Sequence, residues 1–204
     1  MKKRLFIAIP LPNNIKETLM EAAQIIENES PPCLPQCWPD VRWTSSSPKG
    51  GKKIKWVPKQ NLHITLLFLG KKDENELSEI ISKIENVTKQ CTAFSLNLVG
   101  ILTIIKKRKP VMIWAEFDRN KHFTNLVTKC SQVLEIQPDH DPRPHITLAR
   151  IKYGKSRGKG VLNPAFESNS LESFKLEVMT IHLWESVLTS KQAVYKLVKS
   201  FKLI

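Results

Sequence analysis

Long apolar runs are absent from this chain of 204 residues. A membrane-spanning helix needs about 20 consecutive apolar residues, and no run comes close to that length. The charged start, Met1 to Arg4, is followed by only five apolar residues before Pro10, which predicts a first strand and not a signal peptide. We therefore expect a cytoplasmic protein with no membrane association.

Cysteine is also scarce, with four in the chain. Cys33 and Cys37 lie in a proline-rich stretch, and Cys91 and Cys130 have no neighbour at the spacing of zinc ligands. Thiols in a cytosolic protein are normally reduced. The sequence therefore predicts neither a disulfide framework nor a metal site.

Acidic residues are few relative to basic ones. The chain has 32 Lys and Arg against 19 Asp and Glu, a net charge of +13 and a pI near 9.7. Such an excess favours an anionic partner, nucleic acid first, although a generally solubilising charge is the alternative. Basic clusters at 49–59, 71–72, 106–109 and 152–159 could together attract RNA phosphates, while each alone could be a solvated loop.

One tetrapeptide occurs twice. His63-Ile64-Thr65-Leu66 returns 82 residues later as His145-Ile146-Thr147-Leu148, so each half of the chain carries one copy. The β-branched and apolar flanks are typical of strands. Because strand side chains alternate between faces, the His and Thr of each copy share a face, about 7 Å apart, and the apolar residues face a core.

Two such strands side by side would place two imidazoles and two hydroxyls around one cleft. An imidazole titrates near pH 6.5, so one His can accept a proton from a nucleophile while the other protonates a leaving oxygen. The Thr hydroxyls can donate to phosphate oxygens. A lone strand His is usually structural, but a duplicated tetrapeptide rarely arises by accident, and it indicates a phosphodiester site.

The remaining pattern predicts two α+β lobes in one bilobal domain over residues 1–204, with an inserted loop at 28–55. Residues 185–191 are interpreted as a turn and 162–170 as a short helix or loop. Strands are predicted at 4–9, 54–57, 61–70, 94–105, 111–117, 143–151, 174–184 and 193–203, and helices at 14–28, 74–90 and 120–136.

Three segments resemble the RNA 2′,3′-cyclic phosphodiesterase family, first named for 2′-5′ RNA ligase activity, within the two-histidine phosphoesterase superfamily. They are Arg4–Ile9, Asn61–Gly70 and Pro144–Arg150, and the likeness covers nearly the whole chain except 28–55. The resemblance implies the bilobal α+β fold with two pseudo-symmetric lobes of antiparallel sheet and helices around a central cleft. It also implies hydrolysis of an RNA 2′,3′-cyclic phosphate to a 2′-phosphomonoester, with reversible 2′-5′ ligation as a related activity.

The same resemblance implies the residue roles. His145 would be the general base on water and His63 the general acid on the 3′-oxygen, an order that the residues themselves leave open. Thr65 and Thr147 would hold phosphate oxygens, and no metal or cofactor is expected. Asp141 could orient His145 or simply form a turn.

Arg150 is a further candidate for phosphate binding, since the family has an arginine that assists there. It lies five residues after His145, so strict alternation places it on the opposite face, and a bulge near Ala149 would be needed to bring it back. The first copy has Phe68 at this offset. Phe6 could stack on a base or belong to the core.

Two other functions stay open at this stage. The enzyme could act on nucleotide cyclic phosphates, since the tetrapeptides contact only the phosphate. Alternatively, the chain could be a non-catalytic RNA-binding module. In each case we expect a monomer with no obligate protein partner.

Overall fold

The computed structural model describes residues 2–28, 52–107, 109–138, 141–153, 173–189 and 192–204. Within them the chain forms nine strands and three α-helices. The strands are β1 (Lys2–Pro10), β2 (Lys52–Trp56), β3 (His63–Asp73), β4 (Phe94–Lys106), β5 (Lys109–Phe117), β6 (His145–Tyr153), β7 (Lys175–Val178), β8 (Thr180–Leu188) and β9 (Ala193–Lys202). The helices are α1 (Asn13–Asn28), α2 (Leu77–Thr88) and α3 (Lys121–Leu134).

The strands form one antiparallel sheet in the order β7-β4-β5-β6-β3-β1-β8-β9, with β2 beside β6. This order is symmetric about the β6–β3 contact, since β5 and β1 flank the centre and β4 and β8 come next. The two predicted lobes are the halves of this sheet, which confirms the predicted α+β bilobal fold.

The helices are amphipathic and bury their apolar faces. Ile15 and Leu19 of α1, Ile84 of α2 and Leu126 of α3 all belong to the core, together with Ile64 and Ile146 at the centre of the sheet. Asn120 caps α3, because its side chain accepts hydrogen bonds from the backbone N–H groups of His122 and Phe123. In the described part of the chain no helix has the length and apolarity to cross a membrane.

Two predictions for the C-terminal region are wrong. The segment predicted as a single strand at 174–184 divides at Met179 into β7 and β8, which lie near opposite edges of the sheet. The turn predicted at 185–191 is too long, because β8 continues to Leu188 with Ser186 paired to Tyr195 of β9. Cross-strand pairing outweighs the polar composition there. Residues 162–170, and most of 28–55, lie outside the described residues.

One residue between β7 and β8 constrains the shape of the sheet. Strands advance about 3.3 Å per residue, so Val178 and Thr180 lie roughly 7 Å apart. Val178 pairs with Phe94 of β4, and Thr180 pairs with Lys202 of β9. The sheet must therefore curl until its two ends approach each other.

Bulges break the alternation in both strands that carry the tetrapeptides. In β3 the register with β1 skips Leu66, and in β6 the register with β5 skips Leu148, which is the equivalent position. Each bulge leaves two successive buried residues, and the next side chain returns to the face of the histidines. A second shift in β3, at Leu69, comes just before Gly70, whose φ of 73° lies in the left-handed region that glycine tolerates.

Candidate active site

The two tetrapeptides meet at the centre of the sheet, where Ile64 pairs with Ile146. Both isoleucines are fully buried, so the flanking His and Thr of each strand point to the opposite, open face. Continuing the antiparallel register places His63 beside Thr147, and Thr65 beside His145. The structure thus brings the four residues together around one pseudo-two-fold axis.

Each histidine is oriented by a backbone carbonyl two residues before it. Nδ1 of His63 lies 2.7 Å from the carbonyl oxygen of Asn61, and Nδ1 of His145 lies 2.8 Å from that of Arg143. A carbonyl only accepts, so Nδ1–H is the donor in both rings. Nε2 is then the nitrogen available for proton transfer in each, and that of His63 lies 3.0 Å from Oγ1 of Thr65.

Aromatic side chains pack around His63. The ring centroids of Phe6, Trp184 and Tyr195 lie 5.1, 5.3 and 5.3 Å from the centroid of its imidazole. Phe6 is only 3% exposed, so it belongs to the core and holds His63 in place instead of offering a free face to a base. On the other side, Trp114 stacks on His145 with centroids 3.6 Å apart and an interplanar angle of 17°.

This packing changes the proton affinity of both histidines. The pKa of His63 is lowered from 6.5 to about 4, chiefly by burial; the bond to Asn61 opposes the shift, and the charges of His145, Arg150 and Lys16 contribute to it. Burial likewise lowers the pKa of His145, against the raising effects of the Arg143 carbonyl and Glu116. Both imidazoles are therefore neutral in the free protein at pH 7.

The bulge at Leu148 places Arg150 on the histidine face. Leu148 and Ala149 are both buried in succession, and Arg150 follows as an exposed side chain. Its Nη1 donates to Sδ of Met112 at 3.4 Å, and its charge lowers the pKa of both histidines. The bulge that the sequence required is present, so Arg150 is available for phosphate binding. Phe68 is the equivalent residue of β3, 57% exposed on the same face.

Three residues of the site were not singled out from the sequence. Asn61 is buried, and its side-chain Nδ2 donates to the carbonyl of Ala193 at 2.8 Å, which fixes the loop that orients His63. Trp114 and Trp184 line the two histidines. Asn61 could have been identified from its place two residues before His63. The tryptophans can be identified only once the strand pairing is known.

Asp141 does not contact His145 in this structure. Its Oδ2 accepts a hydrogen bond from Nη1 of Arg119 at 2.6 Å. The Nδ1–H of His145 donates instead to the backbone carbonyl of Arg143. Over the described ranges, no cluster of three or more His, Cys, Asp or Glu side chains has a metal-binding arrangement. The described cysteines, Cys91 and Cys130, are buried free thiols.

Comparison with known proteins connects this geometry to a family. A model described as LigT like Phosphoesterase matches residues 42–114. The RNA 2′,3′-cyclic phosphodiesterase of Archaeoglobus fulgidus is 30% identical to this chain over 157 residues, which cover 75% of the chain and 86% of that protein. The chain belongs to the RNA 2′,3′-cyclic phosphodiesterase family. It is 28% identical to the RNA 2′,3′-cyclic phosphodiesterase of Methanocaldococcus jannaschii over 202 residues, which cover 97% of the chain and 99% of that protein.

Solved structures agree with the fold of this family. Escherichia coli LigT complexed with 3′-AMP superposes with a TM-score of 0.68 at 20% identity, covering 100% of this chain and 99% of that one. A protein of Thermus thermophilus also gives a TM-score of 0.68, at 24% identity, and covers 98% and 97% of the two chains. At these identities the likeness concerns the fold alone.

Proposed function

We propose that this member of the family hydrolyses RNA 2′,3′-cyclic phosphate ends to 2′-phosphomonoesters by acid–base catalysis, without a metal ion. The observation that carries the proposal is the symmetric cluster of His63, Thr65, His145 and Thr147 around the buried Ile64–Ile146 pair. The curated relatives at 28–30% identity bear the name of this activity.

The two Nε2 atoms supply the proton transfers of the proposed reaction. His145 removes a proton from water, whose oxygen attacks phosphorus. The bond from phosphorus to the 3′-oxygen breaks, and His63 protonates that oxygen to give a free 3′-hydroxyl. The 2′-phosphate remains, and one water has been consumed. The order of acid and base follows the family resemblance, and each role is worth about 10²–10⁴-fold in rate.

The lowered pKa values suit an anionic substrate. A bound phosphodiester carries a negative charge, which raises the pKa of a nearby imidazole. His63 can therefore acquire its proton when the substrate enters. Nε2–H of the protonated ring would then donate to the leaving oxygen, and the hydroxyl of Thr65 would be released from Nε2 to donate to phosphate. Thr147 and Arg150 would hold the other phosphate oxygens.

The test is turnover of a short RNA that ends in a 2′,3′-cyclic phosphate, with a chelator present. The wild type should release only the 2′-phosphate, while His63→Ala and His145→Ala should each lose at least 100-fold in rate. His122→Ala is the matched control, since His122 is an exposed residue of α3 that contacts Thr92 and Phe94.

Other products would point elsewhere. A 3′-phosphate product would contradict the proposed regiochemistry, and inhibition by the chelator would contradict metal independence. RNA binding without turnover would favour the non-catalytic module, and turnover of cyclic mononucleotides alone would favour the nucleotide enzyme. The single-domain boundaries, the monomeric state and the cytoplasmic location stay predictions.

A further inference from the structure

The two lobes present chemically different walls to the cleft although both strands bulge at the equivalent positions Leu66 and Leu148. After each bulge, β3 presents Phe68 and then Gly70, while β6 presents Arg150 and then Lys152 at the equivalent positions. At these two positions lobe one therefore offers an aromatic side chain and a glycine, neither of which carries a charge. Lobe two offers two exposed cations that begin next to His145.

A third cation joins this wall from β2. Lys55 is exposed and pairs with Arg150 in the antiparallel register, so both side chains leave the same face of the sheet. Neighbouring strands lie about 5 Å apart, and residues two apart along a strand are separated by about 7 Å. Arg150, Lys55 and Lys152 thus form a compact positive patch, which we call the β2–β6 patch.

Among the described residues, the strand segments that adjoin the patch contain no acidic residue. Residues 52–57, 101–107, 109–113 and 146–153, which form the neighbouring strand ends, include no Asp or Glu. Basic residues outside the patch differ in this respect, because Lys72 pairs with Glu76 at 3.5 Å and Lys59 with Glu17 at 2.7 Å. Exposed Lys106, at the end of β4, extends the positive potential beyond β5.

We propose that the β2–β6 patch binds the phosphates of the RNA strand on the 5′ side of the reacting end. The inference rests on the proposed function, which places the terminal phosphate between the histidines. From there a polyanion can run past Arg150 onto Lys55 and Lys152, whereas the positions of β3 equivalent to Arg150 and Lys152 are the uncharged Phe68 and Gly70. The patch would favour RNA strands over single nucleotides.

The test measures binding of RNA with a 3′-phosphate end, which the proposed reaction does not turn over, by fluorescence anisotropy. A single strand of about 12 nucleotides is compared with a dinucleotide over about 0.05–0.2 M salt. For single strands, log K falls with log salt by about 0.7 per phosphate contact. The double variant Lys55→Gln/Lys152→Gln should therefore reduce the slope for the longer strand by about 1.4.

Across that fourfold salt range the wild type should lose about sevenfold more affinity for the longer strand than the variant loses. Dinucleotide binding should be the same in both proteins. Lys199→Gln/Lys202→Gln removes two exposed lysines from β9, far along the sheet, and should keep the wild-type slope.

An unchanged slope in the β2–β6 double variant would overturn the proposal, as would an equal fall in the β9 control. An equal loss for the dinucleotide would also overturn it, because the lysines would then act at the terminal phosphate. Since the ligand is not hydrolysed, failure of the catalytic proposal would appear separately, as a wild type that binds RNA but does not cleave a cyclic end.

Discussion

Replacing His63 with Gln should remove a specific part of the dependence of stability on pH. In the folded protein burial holds the pKa of His63 at about 4, whereas in the unfolded chain the ordinary value of 6.5 applies. Between these values the unfolded chain binds more protons than the folded one, so lowering the pH favours unfolding. The contribution of His63 to stability is complete above pH 6.5 and is lost as the pH falls through 4.

The size of the effect follows from the two pKa values. At about 1.4 kcal/mol per pKa unit, the whole difference is about 3 kcal/mol, and about 2 kcal/mol of it is lost on going from pH 7.5 to pH 5. Urea unfolding of wild type and His63→Gln across this range measures it. The free energy of unfolding of the wild type should fall by about 2 kcal/mol more than that of the variant.

The two other histidines with a lowered pKa are present in both proteins. Burial lowers the pKa of His145 and of His182, and both are present in wild type and variant, so the effect of their own burial is common to the two curves. His122→Gln, an exposed substitution on α3, should follow the wild-type curve. Parallel curves for wild type and His63→Gln would refute the argument that burial sets the proton affinity of His63.

Three further outcomes are expected. If His63 and His145 act as proposed, their lowered pKa values should place the optimum of kcat/KM below pH 6.5. The optimum of kcat should lie at higher pH, because bound phosphate raises these pKa values, and a kcat/KM optimum above pH 7.5 would contradict this. Gly70→Ala should lower the free energy of unfolding by about 1 kcal/mol in urea titration, because its φ is 73°. Gly100→Ala should not, because a Cβ added at either glycine meets no heavy atom within 4 Å and only Gly70 has a positive φ. Trp114→Ala should lower kcat by about 10- to 100-fold by releasing the His145 ring, and Trp114→Phe should recover most of it; equal rates in all three proteins would rule out a positioning role.

Local sequence was sufficient for the centre of the site. The faces of His63, Thr65, His145 and Thr147 follow from strand alternation, which depends only on backbone geometry, and the repeat identified the pair. The position of Arg150 could not be predicted in the same way. It depends on how β5 pairs with β6, since the bulge at Leu148 exists only relative to a partner strand.

The residues that surround the histidines were harder to find for the same reason. Trp184 reaches His63 because β8 lies next to β1, and Trp114 reaches His145 because β5 lies next to β6. Nothing near either tryptophan in sequence specifies these neighbours. The break at Met179 was missed because Phe174 to Trp184 has continuous strand character, and only the long-range partners of β7 and β8 divide it.

The short junction at Met179 limits how the enzyme can move. The halves of the sheet are joined at their centre by the Ile64–Ile146 pair and again at their far ends, where Ala93 N–H donates to the Ile204 carbonyl at 2.7 Å and Ile204 N–H donates to the Cys91 carbonyl at 3.0 Å. Because the two halves are held together at two opposite places, they cannot rotate apart about a single hinge. The distance between the two imidazoles is therefore fixed before RNA arrives, and reorganisation of the lobes should contribute little to the barrier of each turnover.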